Sequence, residues 1–371
     1  MDDPRSGDRL WLMFAISSVL SLAVLAVSPV KDYFREYRGY QEEYRRLRLA
    51  KAGSSRELRA AEAETVGIRQ MWLPDLDGRV DRCVSCHLGV AEAGLEGASQ
   101  PFAPHPAVPH VPEDLDRFGC VACHRGQGRA TERVAAHGAV EDWSSPLLPL
   151  ELTEASCGSC HQGETEPEAH LLSRGRRLVR EAGCYACHEM AGREGWPSDG
   201  PALDGLAEKT SSEWLRGWLQ DPRAERPETP MPDFRLGDGE VEALVAFLWA
   251  QPPRVPLAGR VEGSLPDGDP DLGKKLFRES RCISCHTVDG RGNDSAPELA
   301  GIGGRASRRW LVAFLEDPQA FHPDTLMPRY DLTREEALDV TAYLLEDLSD
   351  PEMALTAEEY RAPLRLVEEG E

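Results

Sequence analysis

All ten cysteines of this 371-residue chain fall in one arrangement, Cys-x-x-Cys-His, repeated five times. The units are Cys83/Cys86/His87, Cys120/Cys123/His124, Cys157/Cys160/His161, Cys184/Cys187/His188 and Cys282/Cys285/His286. Two thiols at this spacing can add across the two vinyl groups of one haem, and the adjacent histidine then reaches the iron as proximal ligand. A zinc ribbon uses two Cys-x-x-Cys pairs per metal and has no rule placing histidine after each. A redox dithiol occurs once, beside a βαβ pattern. Five covalently attached haems (haem c) are therefore expected. Because this attachment takes place outside the cytoplasmic membrane, the haem-bearing part belongs in bacterial periplasm or its equivalent.

Each iron needs a sixth ligand. Around the first three motifs the spare histidines are His105, His110, His137 and His170, and no methionine lies between Met71 and Met190. Three bis-histidine haems served by three of these four are expected, with His105, His137 and His170 favoured and His110 the substitute. Spacing leaves open which histidine serves which iron. Residues 83–170 contain only 16 Leu, Ile, Val or Phe, 13 acidic against 4 basic side chains, and 8 prolines. Amino acids alone would leave such a stretch disordered, so haem is expected to act as its core.

Residues 171–250 and 269–348 repeat one another. Gly175/Gly273 and Cys184/Cys282 match at one offset; Pro201/Pro297, Trp214/Trp310, Asp221/Asp317, Met231/Met327 and Phe247/Tyr343 match at another two residues shorter. The difference falls in the loop after the proximal histidine. Thr210 with Glu213 and Thr333 with Glu336 have capping-box spacing and mark helix starts. His322 aligns with Arg226, which suggests a surface loop residue. Five prolines between Gln251 and Pro270 suggest a semi-rigid extended spacer.

The order of features in each repeat resembles the class I cytochrome c domain. That resemblance implies that the Pro201 and Pro297 carbonyls accept the Nδ1 protons of His188 and His286. It also implies that Met231 and Met327 are the distal ligands, and that Gly175 and Gly273 allow the terminal helices to cross closely.

The elements that carry these sites begin with an uncharged run from Leu10 to Val27, long enough when extended to Val30 to span a bilayer. Pro29 spoils the nearest signal-peptide cleavage site, so an uncleaved anchor is expected. Lys and Arg are more frequent after this run than before it, which by itself would place the downstream side in the cytoplasm; haem attachment requires the opposite. Tyr33, Tyr37, Tyr40, Tyr44 and Leu47 then line one helical face. That face would dock either on a neighbouring membrane protein or on this chain's own haem region. Gly53 breaks the helix, and Ser54 with Glu57 starts another.

The fold class expected is mainly α: a transmembrane helix (1–30), a helical stalk (31–70), a loop-rich trihaem segment (71–170), two tandem class I cytochrome c-like α domains (171–250 and 269–348) joined by a linker (251–268), and an acidic tail (349–371). A net charge of −22 argues against a nucleic-acid partner. The charge is uneven, +3 over 31–70 and −24 over 71–371.

An anchor followed by Trp72-Leu73-Pro74, Asp81-Arg82-Cys83, Phe118-Gly119-Cys120 and Gly126-Gln127-Gly128-Arg129-Ala130-Thr131 looks like the multihaem c-type cytochromes that accompany bacterial bc-type complexes. This resemblance implies a cytochrome b/Rieske-type membrane complex as donor, a soluble periplasmic cytochrome or oxidase as acceptor, and an electron-transfer protein anchored in the inner membrane by a single pass. The glycine-rich stretch suggests tight backbone passage beside a haem. The alternative is a multihaem enzyme, a peroxidase or nitrogen-oxide reductase, which requires one iron with an open site.

Overall fold

The computed structural model describes residues 4–140, 143, 145–161, 169–190, 200–261, 263–288, 290–293, 295–346 and 348. The expected acidic tail, 349–371, lies outside the described residues. The fold is mainly α, with two two-stranded antiparallel ribbons, β1 (Met71–Leu73) with β2 (Arg79–Asp81) and β3 (Thr287–Val288) with β4 (Arg291–Gly292). The chain divides into two compact units, Met1–Val121 with Gln127–His137, and Ala122–Gly126 with Gly138–Glu371.

In the first unit, α1 (Pro4–Tyr33) is long and apolar enough over Trp11–Ser28 to cross a membrane, and its large side chains from Trp11 to Val27 are exposed. Helix α2 (Glu36–Lys51) buries Tyr37, Gln41 and Tyr44, one stripe of the helix. Tyr40, Tyr44 and Leu47 pack with Leu88, Leu95 and Phe102. Of the two surfaces open to this stripe, it takes the chain's own region around the first Cys-x-x-Cys-His motif; Tyr33, in the last turn of α1, stays exposed. Helix α3 (Ser55–Glu62) starts at the Ser54/Glu57 capping box. The short helices α4 (Leu115–Phe118), α5 (Val121–His124) and α6 (Arg133–Ala136) follow, and the division between the units falls inside α5.

The second unit has two cores. In the first, α7 (His170–Glu181) crosses α11 (Asp238–Trp249) so closely that a Cβ on Gly175 would lie 1.9 Å from the Ala243 carbonyl oxygen. Between them lie α8 (Leu206–Lys209), α9 (Ser212–Gln220) and α10 (Pro222–Glu225). In the second core, α12 (Pro270–Glu279) crosses α16 (Arg334–Glu346), and a Cβ on Gly273 would lie 1.9 Å from the Asp339 carbonyl oxygen. Helices α13 (Ile302–Arg305), α14 (Arg308–Glu316) and α15 (Pro318–Phe321) complete it. The crossing geometry is the same twice, which is what a tandem repeat requires.

Three expectations are revised. The segment 71–170 is divided: Leu148, Leu152, Ala155 and Cys157 of the third motif belong to the core built on α7 and α11. The stretch leading into the third motif carries these apolar residues into that core. The linker is more than the semi-rigid extended spacer expected. Leu257, Val261 and Leu265 are buried in the second core, while the Arg309 guanidinium binds the Val261 and Gly263 carbonyls and Arg308 binds Pro266. Carbonyls without ladder partners thereby find donors. Finally, α9 is capped by Ser211, whose hydroxyl accepts from Trp214 N, rather than by Thr210, as Ser307 caps α14 in the other repeat.

Candidate haem centres

Four of the five Cys-x-x-Cys-His motifs share one local geometry, and the second ends in α5. In motifs one, three, four and five, the second cysteine's N–H donates to the first cysteine's carbonyl at 3.0–3.2 Å, and the histidine N–H donates to the same carbonyl at 2.8–3.0 Å. A single tight turn thus presents two thiols and an imidazole together. None of the ten cysteines is in a disulfide. Burial pushes the Cys86 and Cys157 thiols up to about 11 and raises Cys184 and Cys282 as well.

In the repeats, His188 Nδ1 lies 2.7 Å from the Pro201 carbonyl oxygen and His286 Nδ1 lies 2.7 Å from that of Pro297. A proton held on Nδ1 leaves Nε2 with its lone pair for a metal. Matching bonds hold the proline loops, Leu203 N to Glu189 O at 3.0 Å and Leu299 N to Thr287 O at 2.9 Å. Met231 and Met327 are half-buried against the two cores. Their backbones are shaped alike, since Met231 N donates to Thr229 Oγ1 at 3.3 Å and Met327 N to Thr325 Oγ1 at 3.2 Å. The sulfurs differ: Trp218 Nε1 donates to Met231 Sδ at 2.9 Å, whereas the residue matching Trp218 in the second repeat is Phe314. The buried Trp214 Nε1 has no protein partner. A buried indole N–H without an acceptor suits a site completed by a prosthetic group with polar atoms. The donor set and this orphan both fit haem.

The first motif is braced by Gln41 and Ser85, which the sequence does not single out, and by Asp81, which the sequence marks only as part of a resemblance. Gln41 Nε2 donates to Gly67 O at 2.8 Å and to Ser85 O at 2.9 Å, while its Oε1 accepts from Gly67 N at 2.8 Å. Ser85 Oγ is bonded to the Arg69 backbone in both directions. Asp81, wholly buried, accepts from Cys83 N at 2.8 Å, Cys120 N at 2.6 Å and Val121 N at 2.9 Å. It ties the first cysteine of motif one to the first cysteine of motif two, and the ligand atoms of Asp81, Cys83 and Cys120 lie within 4.8 Å of one another. The Cys120 neighbour and burial both raise the Cys83 pKa. Gly128 passes so close to β2 that a Cβ would lie 2.4 Å from Val80 O, which accounts for the glycine-rich stretch. In the other unit, Ser156 Oγ donates to Cys123 O at 2.6 Å, linking motifs two and three.

The spare histidines fare differently. The His137 ring centre lies 6.2 Å from that of His87. Burial, and then Arg133, lowers its pKa. His105 Nδ1 meets Pro106 O at 2.8 Å, His110 Nδ1 meets Asp114 Oδ2 at 2.9 Å, and His170 opens α7 as an exposed residue. His322 is not the surface loop residue expected. It is half-buried and lines a crevice with Lys209, Arg254 and Trp310, where burial, then Lys209 and Arg254, lowers its pKa.

The cytochrome c family profile matches residues 172–251 and 270–346. Cytochrome c type-1 of Ascaris suum is 31% identical over 108 residues, covering 24% of this chain and 96% of the relative. The chain belongs to the cytochrome c family. Cytochrome c of Theileria annulata is 32% identical over 103 residues, covering 22% of this chain and 89% of the relative. A component of the nitric oxide reductase of Paracoccus denitrificans is 34% identical over 86 residues, covering 20% of this chain and 55% of that protein. Each repeat is therefore a cytochrome c domain for covalently bound haem c, and the chain is a c-type cytochrome. The signal for this was the repeat itself. Gln41 has no such signal beyond its position on a helix stripe, and Asp81 only its place in the Asp81-Arg82-Cys83 string.

Proposed function

We propose that this cytochrome c is a membrane-anchored five-haem relay. It takes electrons from a membrane quinol-oxidising complex of the cytochrome b/Rieske type and passes them to a soluble periplasmic cytochrome or an oxidase. The observation that carries the reading is the succession of five attachment motifs behind one apolar helix, the first two joined through Asp81. Haem supplies one-electron chemistry when bound.

The protein's residues set order and direction. Cys83, Cys86, Cys120, Cys123, Cys157, Cys160, Cys184, Cys187, Cys282 and Cys285 hold the groups, with His87, His124, His161, His188 and His286 as proximal ligands. Histidines drawn from His105, His110, His137 and His170 complete the first three sites and keep their potentials low. Met231 and Met327 complete the last two and raise theirs, since a thioether favours ferrous iron. Potential then rises from the anchor outward. The acidic outer part, −24 over 71–371, steers a basic acceptor with strong salt dependence. In this reading α1 is an uncleaved single pass in the inner membrane, with the haem domains on its periplasmic side. A relative named as part of a reductase suits a chain that works within a larger complex.

Two measurements test the reading. A potentiometric titration of the full chain is expected to resolve three low-potential and two higher-potential haems; one common potential refutes the gradient. Purification with the anchor intact is expected to bring down cytochrome b and Rieske proteins. Rapid stoichiometric carbon monoxide binding to the reduced protein at neutral pH would instead establish an open iron and favour the enzyme.

A further inference from the structure

We propose that His137 is the sixth ligand of the haem iron attached at Cys83 and Cys86, on the face opposite His87. The assignment rests on the reading that the first motif carries haem, and it supplies a pairing that the sequence left open. Two imidazoles on opposite sides of one iron stand apart by two metal–nitrogen bonds of about 2.0 Å and two ring radii of about 1.2 Å, roughly 6.4 Å between ring centres. The observed separation of His87 and His137 is 6.2 Å, with the ring planes at 37°. Both planes can stand perpendicular to one macrocycle at that mutual angle. The spacing is the one that a shared iron needs.

This separation is enforced by the fold. His87 leaves the motif-one turn, with its N–H on Cys83 O at 2.9 Å, and Gln41 of α2 holds that turn through Ser85 O. His137 closes α6, with its N–H on Arg133 O at 2.9 Å. Helix α6 is held by the start of the same α2: Arg35 pairs with Glu132 at 2.8 Å, and Glu36 Oε2 accepts from Arg133 N at 2.5 Å. The loop into α6 is fastened to motif one as well, by Arg82 N to Gly128 O at 2.8 Å and the Arg82 guanidinium to Arg129 O at 2.7 Å. Gln127 N on Ala136 O at 2.8 Å closes it. Both ligands are thus braced against one helix, immediately after the membrane segment. A ligand that follows motif two in the chain reaches back to motif one, leaving His105, His110 and His170 for motifs two and three.

The test uses the full haem-loaded chain. His137→Ala is expected to convert one haem in five to a high-spin, carbon-monoxide-binding form, and added imidazole is expected to restore the low-spin spectrum. In a Cys83→Ala/Cys86→Ala chain, which lacks the first attachment site, the same His137→Ala change is expected to add no further carbon-monoxide-binding haem. A high-spin haem that still appears in that background assigns His137 to another iron and overturns the proposal. An all-low-spin His137→Ala protein also overturns it, leaving only a packed histidine pair. If the double cysteine variant does not accumulate, cryo-electron microscopy of the unaltered holoprotein decides: density continuous from the motif-one iron to His137 is expected, and density to any other side chain refutes. Haem counting by pyridine haemochrome and peptide mass separates the two levels, because absence of haem on the Cys83 peptide refutes the underlying reading instead.

Discussion

The two cytochrome c repeats differ at one position beside the proposed methionine ligand, and that difference has a measurable size. Trp218 Nε1 donates to Met231 Sδ at 2.9 Å, while Phe314 stands at the matching position near Met327. An N–H on the sulfur draws electron density from it, makes it a poorer donor to ferric iron and so favours the ferrous state. Trp218→Phe removes the donor and nearly preserves the ring that stacks on Trp214 at 5.3 Å. A hydrogen bond of this kind contributes about 0.5–1.5 kcal/mol. If all of it distinguishes the two redox states, the ceiling is roughly 20–60 mV, at about 59 mV per 1.4 kcal/mol for one electron. Trp218→Phe is therefore expected to lower the potential of the fourth haem by up to that amount and leave the fifth unchanged. Spectroelectrochemistry that follows the near-infrared methionine–iron band would resolve the two. An upward shift, or equal shifts in both haems, would refute the reasoning, and loss of the band would show that the ligand itself had been displaced.

Asp81→Asn replaces a wholly buried carboxylate that accepts three N–H groups. Hydrogen bonds to charged groups contribute about 1.5–3 kcal/mol each, so denaturation midpoints and the yield of fully loaded protein are both expected to fall; unchanged values would remove Asp81 from its bracing role. Gly175→Ala places a methyl against the Ala243 carbonyl and is expected to cost about 1–3 kcal/mol. Gly39→Ala, in α2 with nothing within 4 Å, is expected to stabilise by about 0.5–1 kcal/mol. Denaturant titration of the pair checks whether helix crossing, rather than glycine content, is what matters. Burial, with Arg305 adding to it, pushes Lys209 from 10.5 down to about 8. Between these values the unfolded chain keeps a proton that the folded chain has lost. Stability therefore rises with pH across that window, and the penalty is fully present below it. Lys209→Met is expected to flatten this dependence and to stabilise the protein at neutral pH by at most about 3 kcal/mol. The face of Trp310, 4.7 Å from Nζ, offsets part of the penalty. Thermal unfolding at pH 7 and pH 10 measures the difference.

What could be read from the sequence, and what could not, follows the range of the interactions concerned. The attachment turns are closed by bonds between neighbouring residues, such as His188 N to Cys184 O, so a five-residue motif contains nearly all the information that shapes them. The repeats were legible because duplication prints the same long-range contact twice: Gly175 against Ala243 and Gly273 against Asp339 need only be recognised as equivalent. The linker's packing is not legible in its prolines, because proline content reports backbone stiffness and says nothing of Leu257, Val261 and Leu265, whose burial depends on a core elsewhere in the chain. The sequence does not single out the capping residue of α9, because Thr210 and Ser211 are both competent and only the backbone entering the helix selects Ser211. The pairing of distal histidines is the extreme case. His137 is set opposite His87 by Arg35–Glu132 and Glu36–Arg133 contacts, each spanning 97 residues, between α2 and a four-residue helix without periodicity of its own. The stripe that buries Tyr37, Gln41 and Tyr44 is the same helix's other contribution. A segment that composition presents as a stalk is therefore the frame on which the proposed first site is built: within its first two turns Arg35 and Glu36 fasten α6 and Gln41 fastens the motif-one turn.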